Sequence, residues 1–166
     1  MTSTSTRTFT RTNTAVYLTD VVMGAIADIL GQLRIDLTTL YRDWSQDEAA
    51  IRTWIEEGSL KEVVLQCRQP NGTVAPIIEF PVTYRADGIG DASFTADRAS
   101  LARYRAKLSN VPAGTTYNIV CTFSAAHATM PGWSPTTRAS TVGLMSMRFG
   151  TLGSAPHASV DLRYLH

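Results

Sequence analysis

The chain has 166 residues, 44% of them hydrophobic, and carries 15 basic against 14 acidic side chains for a formal net charge of +1. That length suits a single domain with a core of its own. The balanced charge argues against a nucleic-acid or anionic-membrane partner, and Cys67 and Cys121 lie at no metal-ligand spacing.

Residues 2–14 place threonine at every even position, and only Phe9 among them offers core surface. Alternate threonines suit an extended chain, so 1–14 is read as a flexible or loosely paired segment. It contains no apolar run, so no signal peptide is expected. A cytoplasmic protein with free thiols follows; a secreted domain with one disulfide is the alternative.

Ala15 to Leu33 reads as an apolar helix. Leu18, Val21, Val22, Ala25, Ile29 and Leu33 recur at helical steps, and Ile26 and Leu30 widen the face. Such a helix must be wrapped, and burying six of these side chains contributes roughly 10 kcal/mol gross, at about 1.5–3 kcal/mol each. Asp20 and Asp28 interrupt it, and it reads as too short to span a membrane. Gly24 is assigned to a close backbone approach and Gly31 to the helix end.

Asp36 is a candidate N-cap for a short helix carrying Leu37, Leu40, Tyr41 and Trp44. Ser45-Gln46-Asp47-Glu48 has the form of a capping box, opening a helix whose Ala50, Ile51, Trp54 and Ile55 face inward and which Gly58 stops. Leu60 to Gln69 reads as a strand with Val63, Leu65 and Cys67 on one face. Asn71-Gly72 signals a hairpin, and Val74 to Arg85 returns with Ile78, Phe80, Val82 and Tyr84 inward. Pro76 and Pro81 would point their missing N–H groups to opposite sides, which implies a kink, a bulge or weak pairing on one side. Ala86 to Gly90 is a loop.

Residues 96–108 form a helix with Leu101, Tyr104 and Leu108 inward and Arg98, Arg103, Arg105 and Lys107 outward. That basic face is either a solvated surface or a partner surface. Tyr117, Ile119, Cys121 and Phe123 alternate as a third strand. Both cysteines fall on inward phases and read as small buried hydrophobes. From Ala126 the chain becomes a polar tail of about forty residues with strands at Leu144–Phe149 and Val160–Leu165. Trp133, Met145, Met147, Phe149, Leu162 and Tyr164 give it surface to dock with, and so long a segment reads as a lid or binding loop.

No catalytic constellation is present. His127, His157 and His166 share no ligand spacing with a cysteine or carboxylate, Gly88-Ile89-Gly90 lacks a third glycine, and there is no phosphate-loop lysine. The chain is read as a non-enzyme with no metal and no cofactor. A Cys121–His127 thiol hydrolase would need a thiolate on an apolar strand face, which is disfavoured.

The sequence resembles the bacterial HORMA-domain proteins of CBASS antiphage operons. The match runs from Tyr17-Leu18-Thr19-Asp20 to Leu65. It includes Asp43-Trp44, Ile51-Arg52-Thr53-Trp54 and Gly58-Ser59-Leu60-Lys61-Glu62-Val63-Val64-Leu65. A second stretch is Gly132-Trp133-Ser134 with Ser140-Thr141 and Gly143. The resemblance implies an α+β fold over 1–166, with helices on one face of a mainly antiparallel sheet. Residues 15–125 would be the core and 126–166 a C-terminal safety belt.

It further implies a conformational switch. Closed around a closure-motif peptide, the protein would bind and activate a CD-NTase synthase. A AAA+ ATPase would reopen it. The peptide would meet Tyr117, Ile119, Cys121, Phe123, Trp133, Met145 and Met147. Thr8, Phe9 and Thr10 would be the ATPase handle, and Arg98, Arg103 and Arg105 a partner surface. The competing reading is a structural or adhesive module, such as a phage or surface subunit, with no switch activity.

Overall fold

The computed structural model describes residues 3–85 and 94–166, with side chains from Arg11 onward. The loop expected at Ala86 to Gly90 lies outside the described residues. Helix α1 spans Ser3–Gln32 and is the spine of the core: Leu18, Val22, Met23, Ile26, Ile29 and Leu30 are fully buried. By length and composition Arg11–Gln32 would reach across a membrane. Here its apolar side chains are spent on the protein's own core.

The helix begins earlier than the threonine pattern suggests, and residues 3–14 are helical rather than extended. Threonine is only a modestly poor helix former, and tertiary contact outweighs that preference. Thr14 is buried, and the Thr12 hydroxyl donates to Glu56 at 2.7 Å. At its other end α1 closes with paired bonds, Ile35 N–H to Leu30 O and Arg34 N–H to Gly31 O, around Arg34 at φ +59°. Gly24 has open space beside it rather than a packed backbone. The close approach is made by Gly153, where a Cβ would come within 3.1 Å of Val21.

Two short helices follow, α2 (Thr38–Arg42) and α3 (Trp44–Glu56). Asp36 is not the N-cap: Leu37 holds that position without a side-chain bond, and Asp36, one residue earlier, accepts from the Thr38 N–H and hydroxyl in a local turn. Tyr41 is exposed and stacks on Trp44. The capping box does not form. The helix starts at Trp44, so Ser45 lies inside it and Glu48 accepts from the Trp44 indole instead. Ala50, Ile51, Trp54 and Ile55 are buried, and Gly58, at φ +76°, ends α3 with the same paired bonds seen after α1.

Strands β1 (Leu60–Arg68), β2 (Val74–Tyr84), β3 (Thr95–Ala96), β4 (Thr116–Phe123), β5 (Ser146–Ser154) and β6 (Ala158–Leu165) form one antiparallel sheet. Helix α4 (Arg98–Ala106) lies between β3 and β4 in sequence, and the sheet order is β3-β5-β6-β2-β1-β4. Asn71-Gly72 makes the β1–β2 turn, with Gly72 at φ +90°. The prolines leave their mark: the β1–β2 register shifts between Gln66 and Arg68, and β2–β6 pairing skips Phe80 and Pro81.

One sheet face carries Val63, Leu65, Cys67, Ile78 and Phe80 into the core under α1, α3 and α4. The opposite face carries Val64, Ile77, Val120 and Leu165, and Ala139 and Leu144 of the 124–145 segment cover it. β1 is therefore buried on both faces.

The tail is more structured than its composition suggests. Ala158, Val160, Leu162 and Tyr164 alternate into the main core, and β5 and β6 extend the sheet beside β2. Gly150 and Gly153 sit at the irregularities of the β5–β6 ladder, which is why the strand expected at Leu144–Phe149 continues to Ser154 without an alternating pattern.

Candidate functional site

β4 pairs with β1 along one side, from Thr116 opposite Arg68 to Phe123 opposite Leu60, and is the outermost strand at its end of the sheet. Alternate residues of such a strand direct N–H and C=O groups outward, where a further strand would pair. What distinguishes this edge is the path of the chain that follows it. After Phe123 the segment stays on the helix side. The Ala128 N–H donates to Glu57 at 3.1 Å, and the Ala128 carbonyl accepts from the Trp54 indole at 2.8 Å. Gly132, at φ +80°, lies so close to Gln46 of α3 that a Cβ there would overlap its side-chain amide.

By Arg138 the chain has reached the opposite face. The Arg138 guanidinium bridges Glu62 on β1 at 2.6 Å and Glu79 on β2 at 2.5 Å, and the Ala139 N–H donates to Gln66 at 2.6 Å. Arg163 of β6 holds Glu79 from the other side at 3.1 Å. Residues between Trp133 and Arg138 therefore round the open edge of β4. A strand added there would lie inside the loop.

Between this strap and β4 run two cavities that share Ile119 and Trp133 in their walls. One, of about 330 Å³, lies over Cys121 and Phe123 and is walled by Trp54, Met130 and Pro135. The other, of about 430 Å³, lies over Thr115 to Tyr117 beside Asp36, Asp43 and Asp47. Trp54 organises the first, with Phe123, His127 and Trp133 edge-on to it at centroid distances of 4.9, 5.7 and 5.3 Å; His127 also stacks on Phe123. The Trp133 indole N–H is buried and has no hydrogen-bond partner among the described residues.

The electrostatics differ along the groove. Burial, then the neighbouring Asp43 charge, pushes the Asp47 carboxyl up to about 6. Burial pushes the Cys67 thiol up to about 12. Cys121 is raised too, by burial and then by Asp47. Neither sulfur is placed to be a nucleophile at neutral pH.

The structure gathers Tyr117, Ile119, Cys121, Phe123 and Trp133 around one groove, with the first four on the helix-side face of β4. It does not bring Met145 and Met147 there. Met147 lies on β5, four positions along the sheet from β4, and Met145 immediately precedes it, paired with His166; both are exposed. Arg98 and Arg103 are exposed on α4, which packs on α1 and β5, away from the groove; Arg105 is half-buried. Thr8, Phe9 and Thr10 fall in the first turns of α1.

Sequence reasoning treated Trp54 only as core and did not single out Gln46 or Arg138. A trace of Arg138's role was present: Glu62 and Gln66 alternate with Val64 on a strand whose other face carries Val63, Leu65 and Cys67. Buried polar groups in that position require partners from elsewhere.

A family model described as bacterial HORMA domain 2 matches residues 2–164. The chain belongs to that bacterial HORMA family. Solved HORMA-fold structures agree with the architecture. A chain of a mitotic checkpoint complex superposes with a TM-score of 0.75 at 11% identity, covering 92% of this chain and 97% of that one. C. elegans HTP-2 bound to the HIM-3 closure motif gives 0.68 at 12% identity, covering 89% and 87%. A chain of the E. coli MS115-1 CdnC:HORMA-deltaN complex gives 0.63 at 13% identity, covering 93% and 88%. At these identities the likeness concerns the fold. No curated protein matches the sequence significantly. The strap from Ser124 to Met145 leads into the β5–β6 hairpin, and both lie within the 126–166 region that the family resemblance marks as a safety belt, save its first two residues.

Proposed function

We propose that this HORMA protein is a non-catalytic peptide-binding switch. It closes its belt around an extended closure peptide paired to β4, and in that form binds and activates a CD-NTase cyclic-oligonucleotide synthase in the cytoplasm. A AAA+ ATPase reopens it. The observation that carries the reading is the path of residues 124–145: bonded to α3 on one side of the sheet and to Glu62, Gln66 and Glu79 on the other, they encircle the one edge of β4 that β1 does not use. Support also comes from HTP-2, which holds a closure motif, and from the E. coli HORMA chain, which is assembled with CdnC.

The energetics are sufficient. Moving a two-state equilibrium from 1:99 to 99:1 requires about 5.5 kcal/mol of differential affinity. Four or five main-chain bonds at ~1 kcal/mol each, with one buried anchor, reach that figure. The test is reconstitution with a purified CD-NTase synthase and a AAA+ remodelling ATPase of the same source. Peptide-loaded protein is expected to stimulate second-messenger synthesis, and ATPase with ATP to abolish that stimulation. A protein that retains no peptide and leaves synthase output unchanged would favour a purely structural module.

A further inference from the structure

The groove along β4 is chemically two-sided, and this bears on which peptides it accepts. The cavity over Thr115 to Tyr117 has three carboxylates in its wall, Asp36, Asp43 and Asp47, and no lysine, arginine or histidine. Arg42 is the cation beside them, and it is committed to Asp43 through bonds of 2.9 and 3.1 Å. Asp47 makes no side-chain hydrogen bond or ion pair among the described residues. Its carboxyl is raised first by burial and then by the Asp43 charge, so Asp47 is a carboxylate of this wall that no cation offsets among the described residues. The cavity over Cys121 and Phe123 has no carboxylate, lysine or arginine in its wall and is built from Trp54, Phe123, Met130, Trp133 and Pro135. Trp133 stands between the two, its buried indole N–H still lacking an acceptor.

Resting on the reading that β4 receives an extended peptide, we infer that this peptide carries a lysine or arginine at one position and a large apolar side chain four residues away. Tyr117 and Cys121 mark the two cavities and lie four residues apart on one face of β4. Four residues of strand span about 13 Å, and side chains at that spacing share a face. An added strand, running in either direction, presents its own side chains at the same spacing to the same face. The basic group would supply the missing counter-charge and the apolar group would fill the aromatic cavity. A peptide carbonyl or polar side chain at the intervening position would be in place to accept from Trp133.

The experiment is selection of a phage-displayed random dodecapeptide library on the full chain, incubated long enough for the belt to exchange. Recovered sequences are expected to pair Lys or Arg with Leu, Ile, Met, Phe or Trp at a separation of four, in one consistent order. Binding of a selected peptide is then compared with its Lys/Arg→Gln version, on the wild type and on the Asp43→Asn/Asp47→Asn variant. The wild type should prefer the basic peptide at least tenfold, and the variant should bind the two versions within about twofold of each other. Selected peptides without a basic residue, or a preference that survives the double substitution, overturn the inference and leave the edge-binding reading intact. Recovery of no binding peptide overturns both.

Discussion

Arg138 and Glu62 meet on the sheet face opposite α1, guanidinium to carboxylate at 2.6 Å, although 76 residues separate them in the chain. The contact ties the 124–145 strap to β1, and Glu79 on β2, held at 2.5 Å, makes it a bridge across two strands. All three side chains are largely withdrawn from water. Removing the cation leaves two like charges on adjacent strands with only Arg163, at the rim, to offset them. Arg138→Ala is therefore expected to cost about 2–3 kcal/mol, near the lower end for breaking a buried pair. Hydrogen exchange resolves the effect: amides of residues 138–144 should lose protection well before those of β1. Unchanged protection there would show that Ala139 and Leu144 hold the belt without the ion pair.

Asp47 makes stability depend on pH in the direction opposite to a salt-bridged carboxylate. Its folded-state value, raised to about 6, lies above its ordinary 3.8, so between those values the folded protein holds a proton that the unfolded chain has released. Stability contributed by Asp47 is then lost as pH rises from about 4 through 6. Asp47→Asn should leave the melting temperature unchanged below pH 4 and raise it at pH 7. Melting curves of both proteins across that range check the sign. An asparagine variant less stable at pH 7 would mean that the carboxylate has a favourable partner in the fold.

Both thiols should be silent in the native protein. Cys67 is buried in the core and Cys121 sits on the same inner face, opposite Val63 of β1. With both pushed well above neutrality, labelling by an iodoacetamide or disulfide reagent at pH 7.5 is expected to be slow until denaturant is added, when two thiols titrate. Rapid labelling of either cysteine in the native state would reopen the thiol-hydrolase reading.

The proposed handle is continuous with the core helix. Residues 3–14 continue α1 without a break, so a pull on that end is transmitted along the helix that organises the core. Deleting residues 2–10, with the proposed handle Thr8, Phe9 and Thr10, is expected to leave peptide binding and synthase activation intact and to abolish reopening by the ATPase. A truncated protein reopened at the normal rate would place the handle elsewhere.

What could be read in advance follows from periodicity. The inner faces of α1, α3, β1, β2 and β4 carry their pattern in contiguous sequence, as Ala50, Ile51, Trp54 and Ile55 do, and these elements are found where expected except that α1 begins at Ser3, ahead of its apolar stretch. The β4 edge and Trp133 also carried a local signal, an alternating strand followed by a Gly-Trp-x-Pro turn. The belt's fastenings did not. Arg138 with Glu62 and Glu79, the Trp54 indole with Ala128, and Gly132 with Gln46 each join residues more than fifty positions apart, and none leaves a period in either partner. Met145 and Met147 were misplaced for a related reason: nothing local reveals that a strand after a long strap has crossed to the far side of its sheet.

Trp133 is the residue on which the belt reading can be tested most directly. It borders both cavities of the groove and packs edge-on against Trp54, so a role in holding peptide and a role in packing the rim are both present. Their magnitudes differ. An edge-to-face pair is worth about 0.5–1.5 kcal/mol, which in a domain of this size lowers melting by about 2–4 °C. Truncating an aromatic anchor at the centre of an interface costs about 2 kcal/mol or more, roughly thirtyfold in affinity. Most of that loss belongs in the dissociation rate, because in the proposed switch the strap would have to open before the peptide leaves. Trp133→Ala is therefore expected to speed peptide release at least tenfold while melting falls by only a few degrees. Trp133→Phe, which keeps the ring contact and removes the buried indole N–H, should restore the melting temperature and only part of the retention. Stopped-flow or surface-plasmon dissociation of a selected peptide, read beside calorimetry, separates the outcomes. An unchanged dissociation rate with lowered melting would assign Trp133 to the rim and move the anchor to Trp54 and Phe123.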